Sequence, residues 1–175
     1  MSTQVKRKKI LIVDDEPDIR NFLSACIEDA GFLVDTAKDG VDAMEKVAAD
    51  PPDLITLDLV MPRRSGVRVI RELQKNEQWA KIPIIVITAH ARDELGSDEV
   101  KALSAFTANM QPRYTIEKPV TQEKIVRAIC DVLEITENRV QETKMANEKD
   151  MIVEMVNNAD PDTLKQIRAI LNGGK

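Results

Sequence analysis

Five short runs recur along this chain at intervals that each leave room for a helix: Ile10-Leu11-Ile12-Val13, Leu33-Val34-Asp35-Thr36, Leu54-Ile55-Thr56-Leu57, Ile84-Ile85-Val86-Ile87 and Tyr114-Thr115-Ile116. The first, third, fourth and fifth are short β-branched runs of the kind that reads as strands buried on both faces, and the second is a further short strand. The intervals carry helical periodicity instead. Ile19, Phe22, Leu23, Cys26 and Ile27 share one helical face, as do Ala43, Met44, Val47 and Ala48, then Val67, Ile70 and Leu73, and finally Ile125, Ile129, Val132 and Leu133. Strands alternating with helices of this length form βαβ units with right-handed crossovers, hence a parallel sheet covered on both faces. The predicted fold is α/β, a doubly wound three-layer sandwich.

Local signals punctuate these elements. Gly31 closes the first helix where a left-handed conformation is needed. Asp50-Pro51-Pro52 ends a second helix running from about Gly40. Ser65 is placed to cap the helix carrying Val67, and Thr121 the one carrying Ile125. Between Thr88 and Tyr114 the pattern weakens, with a helix expected around Asp98 to Thr107 and a loop containing Pro112. Residues 136–175 differ in character. A polar helical stretch leads to a Met151, Ile152, Met155 and Val156 stripe, then Asp160-Pro161-Asp162 starts a last helix bearing Leu164, Ile167 and Leu171. That segment is too small for its own core and must pack on the main domain, a second copy or a partner. The division is a main domain over residues 8–135 and a helical C-terminal extension over 136–175.

Bulk properties narrow the class. The chain has 175 residues, 43% of them apolar, and a net charge of −5, which gives no general reason to expect nucleic-acid or membrane binding. The Lys6-Arg7-Lys8-Lys9 cluster reads as a solvated flank before the first strand. Cys26 and Cys130 sit in apolar helical contexts without ligand spacing, as reduced core thiols of a cytoplasmic protein do. No apolar stretch approaches the ~20 residues of a membrane span.

The strand ends carry the chemistry. The first run meets Asp14-Asp15-Glu16, the third Asp58, the fourth Thr88 and the fifth Glu117-Lys118-Pro119. In a parallel sheet these carboxyl ends share one edge, where open α/β sheets place ligands. Clustered carboxylates there favour a hard cation such as Mg²⁺. A carboxylate beside it can serve as a nucleophile toward phosphorus, with the Lys118 ammonium and the Thr88 hydroxyl facing the transferred charge.

With these motifs the chain resembles the receiver domain of two-component response regulators. The resemblance is carried by Ile10-Leu11-Ile12-Val13-Asp14-Asp15-Glu16, Leu57-Asp58-Leu59-Val60-Met61-Pro62, Ile87-Thr88-Ala89 and Lys118-Pro119. It implies a five-stranded sheet in the order 2-1-3-4-5 (flavodoxin-like), with Asp58 as phosphoacceptor. It further implies Mg²⁺ held by Asp14, Asp15, Asp58 and the Val60 backbone carbonyl, Thr88 turning toward the phosphoryl group, and Lys118 as its counter-ion. The donor would be a sensor histidine kinase or a phosphotransfer protein, and the output a change in binding to a downstream partner. Receivers usually place an aromatic switch residue three positions before the lysine, where this chain has Thr115; Tyr114 lies one position earlier, on the opposite face of an ordinary strand. Val60 and His90 flank the site in this family, and an apolar Val60 cannot orient an attacking water, so slow autodephosphorylation is expected.

Two other functions use similar parts. A haloacid-dehalogenase-like phosphatase would need a second aspartate two residues after the nucleophile, where Val60 stands. A degenerate receiver would act only as a binding module, yet all five key residues are present. The extension offers no basic helix-turn-helix and too little chain for a catalytic effector. The reading is therefore a stand-alone receiver, catalysing only its own phosphorylation and dephosphorylation, whose extension packs on its own domain, forms a homodimer or docks a partner.

Overall fold

The computed structural model describes residues 7–59, 61, 66–88 and 114–172. Five strands, β1 (Lys9–Val13), β2 (Leu33–Ala37), β3 (Leu54–Asp58), β4 (Ile84–Thr88) and β5 (Tyr114–Glu117), form one sheet in the order β2-β1-β3-β4-β5. All four pairings are parallel. Because the chain must cross over between parallel strands, helices cover both faces of the sheet. Helices α1 (Pro17–Asp29) and α4 (Gln122–Leu133) pack on one face, α2 (Gly40–Ala49) and α3 (Gly66–Gln74) on the other. The helix expected around Asp98 to Thr107, Ser65 and Pro112 lie outside the described residues.

The pleat sorts the core into two clusters. Ile10, Ile12, Leu54, Ile85, Ile87 and Ile116 face α1 and α4, joined by Leu23, Ile27, Ile125 and Ile129. Leu11, Val13, Ile55, Leu57 and Val86 face α2 and α3, against Ala43, Val47, Ile70 and Leu73. β3 and β4 are buried at every position, and this explains why their sequences are continuous apolar runs rather than alternating ones. Cys26 and Cys130 are buried within the α1/α4 cluster and are not joined in a disulfide.

The helix boundaries follow their signals. Gly31 has φ 98°, and its N–H bonds the Glu28 carbonyl at 2.8 Å while that of Phe32 bonds Ile27, which closes α1 as a Schellman motif. The Asp39 side chain accepts from Val41 and Asp42 N–H groups at the start of α2, and Thr121 accepts from Lys124 N–H at the start of α4. α4 ends in a second Schellman motif, with Glu134 at φ 55° and the Ile135 N–H reaching the Cys130 carbonyl at 2.9 Å. Lys8 and Lys9, half of the basic flank, are not simply solvated. Lys8 Nζ pairs with Asp53 at 2.8 Å and Lys9 Nζ with Asp50 at 2.9 Å, tying the start of β1 to the loop before β3.

Beyond Thr136 the chain forms α5 (Glu137–Asn158) and α6 (Pro161–Asn172), the latter capped by Asp160 through Asp162 and Thr163 N–H groups at 3.0 Å each. The Met/Ile/Val stripe lies within α5 and is exposed, with Met155 66% and Ile152 59% accessible. Among the described residues, the main domain leaves these side chains uncovered.

Candidate functional site

Register assembles the site. Val13 is level with Leu57, so the next residues, Asp14 and Asp58, lie side by side at the ends of β1 and β3. Asp58 is level with Ile87, and Thr88 with Glu117, which brings Thr88 and Lys118 to the same edge. A backbone bond from the Lys118 N–H to the Thr88 carbonyl at 2.9 Å carries the β4–β5 pairing one residue beyond β5. Asp14, Asp58 and Thr88 are buried, although each stands where a strand gives way to a loop.

The lysine sits among acids. Its Nζ donates to Asp58 Oδ2 at 2.8 Å and to Glu16 Oε1 at 3.1 Å, and it lies 3.2 Å from Asp14 Oδ2. Carboxylate oxygens of Asp14, Glu16 and Asp58 all fall within 4.8 Å of one another. One ammonium faces three carboxylates, so the pocket retains an excess of negative charge. Burial alone would lower the Lys118 pKa, but the hydrogen bond and charge of Asp58, with Asp14 and Glu16 adding to them, hold it above the ordinary lysine value. For Asp14 burial is the largest influence and raises its pKa, helped by the Asp58 charge and opposed by the Glu16 N–H bond and Lys118.

The Thr88 hydroxyl is buried at this edge without a hydrogen-bond partner, and the equally buried Asp14 Oδ2 meets the Lys118 ammonium at 3.2 Å. Buried polar groups are nearly always bonded, so a partnerless hydroxyl flanking an acid–lysine contact points to a ligand-binding edge. The other Asp14 oxygen accepts the Glu16 N–H at 2.9 Å, and Arg20 from the first turn of α1 donates to the Asp14 carbonyl at 2.7 Å. These bonds fix the β1–α1 turn and aim Glu16 back over the strand ends. The oxygen-only donor set of Asp14, Glu16 and Asp58 suits a hard divalent cation.

Of the residues expected at the site, Asp14, Asp58, Thr88 and Lys118 converge. Asp15 is half-buried and stands outside the three-carboxylate group; its neighbour Glu16 is inside it. Sequence reasoning missed Glu16 as a donor. The signal was its place immediately before Pro17, at the N-cap position of α1, where a side chain lies beside the strand ends. Val60 and His90 lie outside the described residues. β5 pairs with β4 through four consecutive residues from Ile85–Tyr114 to Thr88–Glu117, with no bulge between them, so position 115 keeps the register opposite Val86.

The profile of the response regulator receiver domain matches residues 10–130. The chain belongs to the response regulator receiver family. This receiver is 37% identical over 128 residues to the response regulator MprA of Mycobacterium leprae, an alignment covering 73% of this chain and 52% of that protein. It is 33% identical over 124 residues to hybrid signal transduction histidine kinase D of Dictyostelium discoideum, covering 71% of this chain and 7% of the kinase. The receiver thus spans about half of the mycobacterial regulator and a small part of the kinase. Among solved structures, the Vibrio cholerae chemotaxis protein CheY4 superposes with a TM-score of 0.63 at 26% identity, covering 73% of this chain and 99% of that one. Receivers are signalling domains rather than enzymes with an external substrate. Among the described residues, no helix is long and apolar enough to cross a membrane.

Proposed function

We propose that this receiver is a phosphorylation-dependent switch in which Asp58 accepts a phosphoryl group from a histidine kinase or a phosphotransfer protein. The observation that carries the reading is the 2.8 Å Asp58–Lys118 pair, flanked by the buried, partnerless Thr88 hydroxyl and by the buried Asp14 carboxylate. An Asp58 carboxylate oxygen forms the new bond to phosphorus as the bond from phosphorus to the donor's imidazole nitrogen breaks, and the imidazole leaves with that electron pair. Lys118 changes partner from carboxylate to phosphoryl oxygen, and the Thr88 hydroxyl donates a hydrogen bond to another. Asp14, Glu16 and Asp58 would hold Mg²⁺, with Asp15 within one residue of them and the Val60 carbonyl a further ligand. The metal supplies positive charge that offsets the phosphoryl oxygens. Charge rearrangement at the strand ends then alters binding to a downstream protein.

The domain carrying this chemistry is taken as residues 8–135, with 136–175 an extension to it. Two buried cysteines that form no disulfide suit the reducing cytoplasm. The decisive experiment is intact-mass spectrometry after treatment with acetyl phosphate and Mg²⁺. Wild type gains one phosphoryl mass, and Asp58→Asn gains none. Equal labelling of both proteins, or no labelling of wild type, refutes the assignment; the second result returns the chain to a binding module.

A further inference from the structure

Among the described residues of the receiver, the exposed large apolar side chains are Phe22, Leu33 and Val41, at 40 to 44%; α5 exposes more. Met145, Met151, Ile152, Val153, Met155 and Val156 are exposed in this one helix, five of them by more than half, with the receiver and α6 both in place. Met151 turns away from the others; Met145, Ile152, Val153, Met155 and Val156 share one side and present roughly 500 Å² of apolar surface, in the upper half of the range for a patch on a monomer and approaching the ~800 Å² per partner of a standard interface.

Their arrangement is ordered. Met145, Ile152 and Val156 recur at intervals of seven and four, and Lys149 falls between the first two, so the four positions follow the 4-3-4 spacing of a two-helix seam. Val153 and Met155 lie on either side of that seam and widen it. Asp150, Glu154 and Asn157 occupy the opposite side of the helix and are exposed. A lysine at one seam position can extend its stem along the apolar surface and keep its charge in water, a device that favours two strands in one register.

We propose that this face of α5 pairs with α5 of a second copy of the chain, along Met145, Lys149, Ile152 and Val156. The spacing is self-matching, which a two-fold contact requires. An anionic membrane is a poor alternative, because Glu142 and Glu148 flank the seam, whereas helices that lie on such membranes are rich in Lys and Arg. The pairing is independent of phosphoryl transfer at Asp58, so failure of either proposal leaves the other standing.

Multi-angle light scattering on the full chain tests it across micromolar concentrations. Wild type and a Glu154→Gln control on the opposite side should have twice the mass of one chain. The double variant Ile152→Glu/Val156→Glu should fall to half that mass while keeping the thermal transition of the receiver. A wild type that is monomeric throughout, or a dimer that survives the double substitution, overturns the proposal. So does a monomeric wild type that co-sediments with phosphatidylglycerol vesicles.

Discussion

Replacing Gly66 with alanine should damage both stability and acceptor chemistry, although residue 66 carries no functional group. Gly66 begins α3, and its N–H donates to the Leu59 carbonyl at 3.2 Å. A Cβ there would lie 2.5 Å from the Asp58 carbonyl oxygen, 3.0 Å from Leu59 Cα and 3.2 Å from Leu57 Cγ. The first two neighbours are backbone at the end of a buried central strand, so they cannot rotate away. Restoring ordinary contact needs about 1 Å of movement, by α3 or by the Asp58–Leu59 backbone. Over-packing of this kind costs about 1–3 kcal/mol, and weakening the Leu59 bond adds about 1 kcal/mol. Denaturant unfolding should therefore show Gly66→Ala less stable by about 2–4 kcal/mol at an unchanged slope. If the strand end moves, the Asp58–Lys118 pair is disturbed, and labelling by acetyl phosphate slows in the fraction that remains folded. Loss of under about 0.5 kcal/mol with wild-type labelling would show that α3 does not set the position of Asp58, and the reasoning would fail.

Other substitutions probe the same edge. Asp14→Asn should stabilise the metal-free protein at neutral pH. The folded-state pKa of Asp14 lies above its ordinary 3.8, so its contribution favours folding below 3.8 and is lost as pH rises through the raised value. The advantage of the variant in unfolding free energy should shrink as pH falls through the raised value toward 3.8 and level off below it, and an advantage independent of pH would contradict the burial argument. Adding Mg²⁺ should raise the melting temperature of wild type and do so far less for Asp14→Asn. Thr56→Val should stabilise the fold by about 1 kcal/mol, because the Thr56 hydroxyl is buried in the sheet core without a partner; a loss on denaturant titration would mean that the hydroxyl is bonded after all. Purified phosphorylated protein should retain its label for minutes or longer, and a lifetime of seconds would refute the effect assigned to an apolar Val60.

Much of the fold and site was legible because parallel strands leave a strong mark. β3 and β4 are buried at every position, and their sequences are apolar at nearly every position for that reason. Gly31 and Thr121 are stop and start signals whose effect is local, so they needed no tertiary knowledge. Asp14, Asp58, Thr88 and Lys118 converge because register in a parallel sheet places consecutive strand ends together. Glu16 was less visible, since its inclusion depends on how the β1–α1 turn is folded by the bond from its N–H to Asp14. The pairing of Lys8 and Lys9 with Asp53 and Asp50 was hidden as well, because those contacts join positions more than forty residues apart. Sequence alone left three destinations for the Met/Ile/Val stripe of α5. Exposure in the folded chain removes packing on its own domain.

The junction after α4 has a mechanical consequence. Ile135 is packed against the α1/α4 cluster, and α5 begins two residues later. The extension therefore starts from a point held by the receiver core and not from a slack tether. A helix of 22 residues is a stiff rod about 33 Å long. If its root turned with α4 by as little as ~5°, the far end would sweep about 3 Å. Displacements too small to alter the receiver's own packing would be magnified at the tip, which makes α5 a lever arm for whatever reads it.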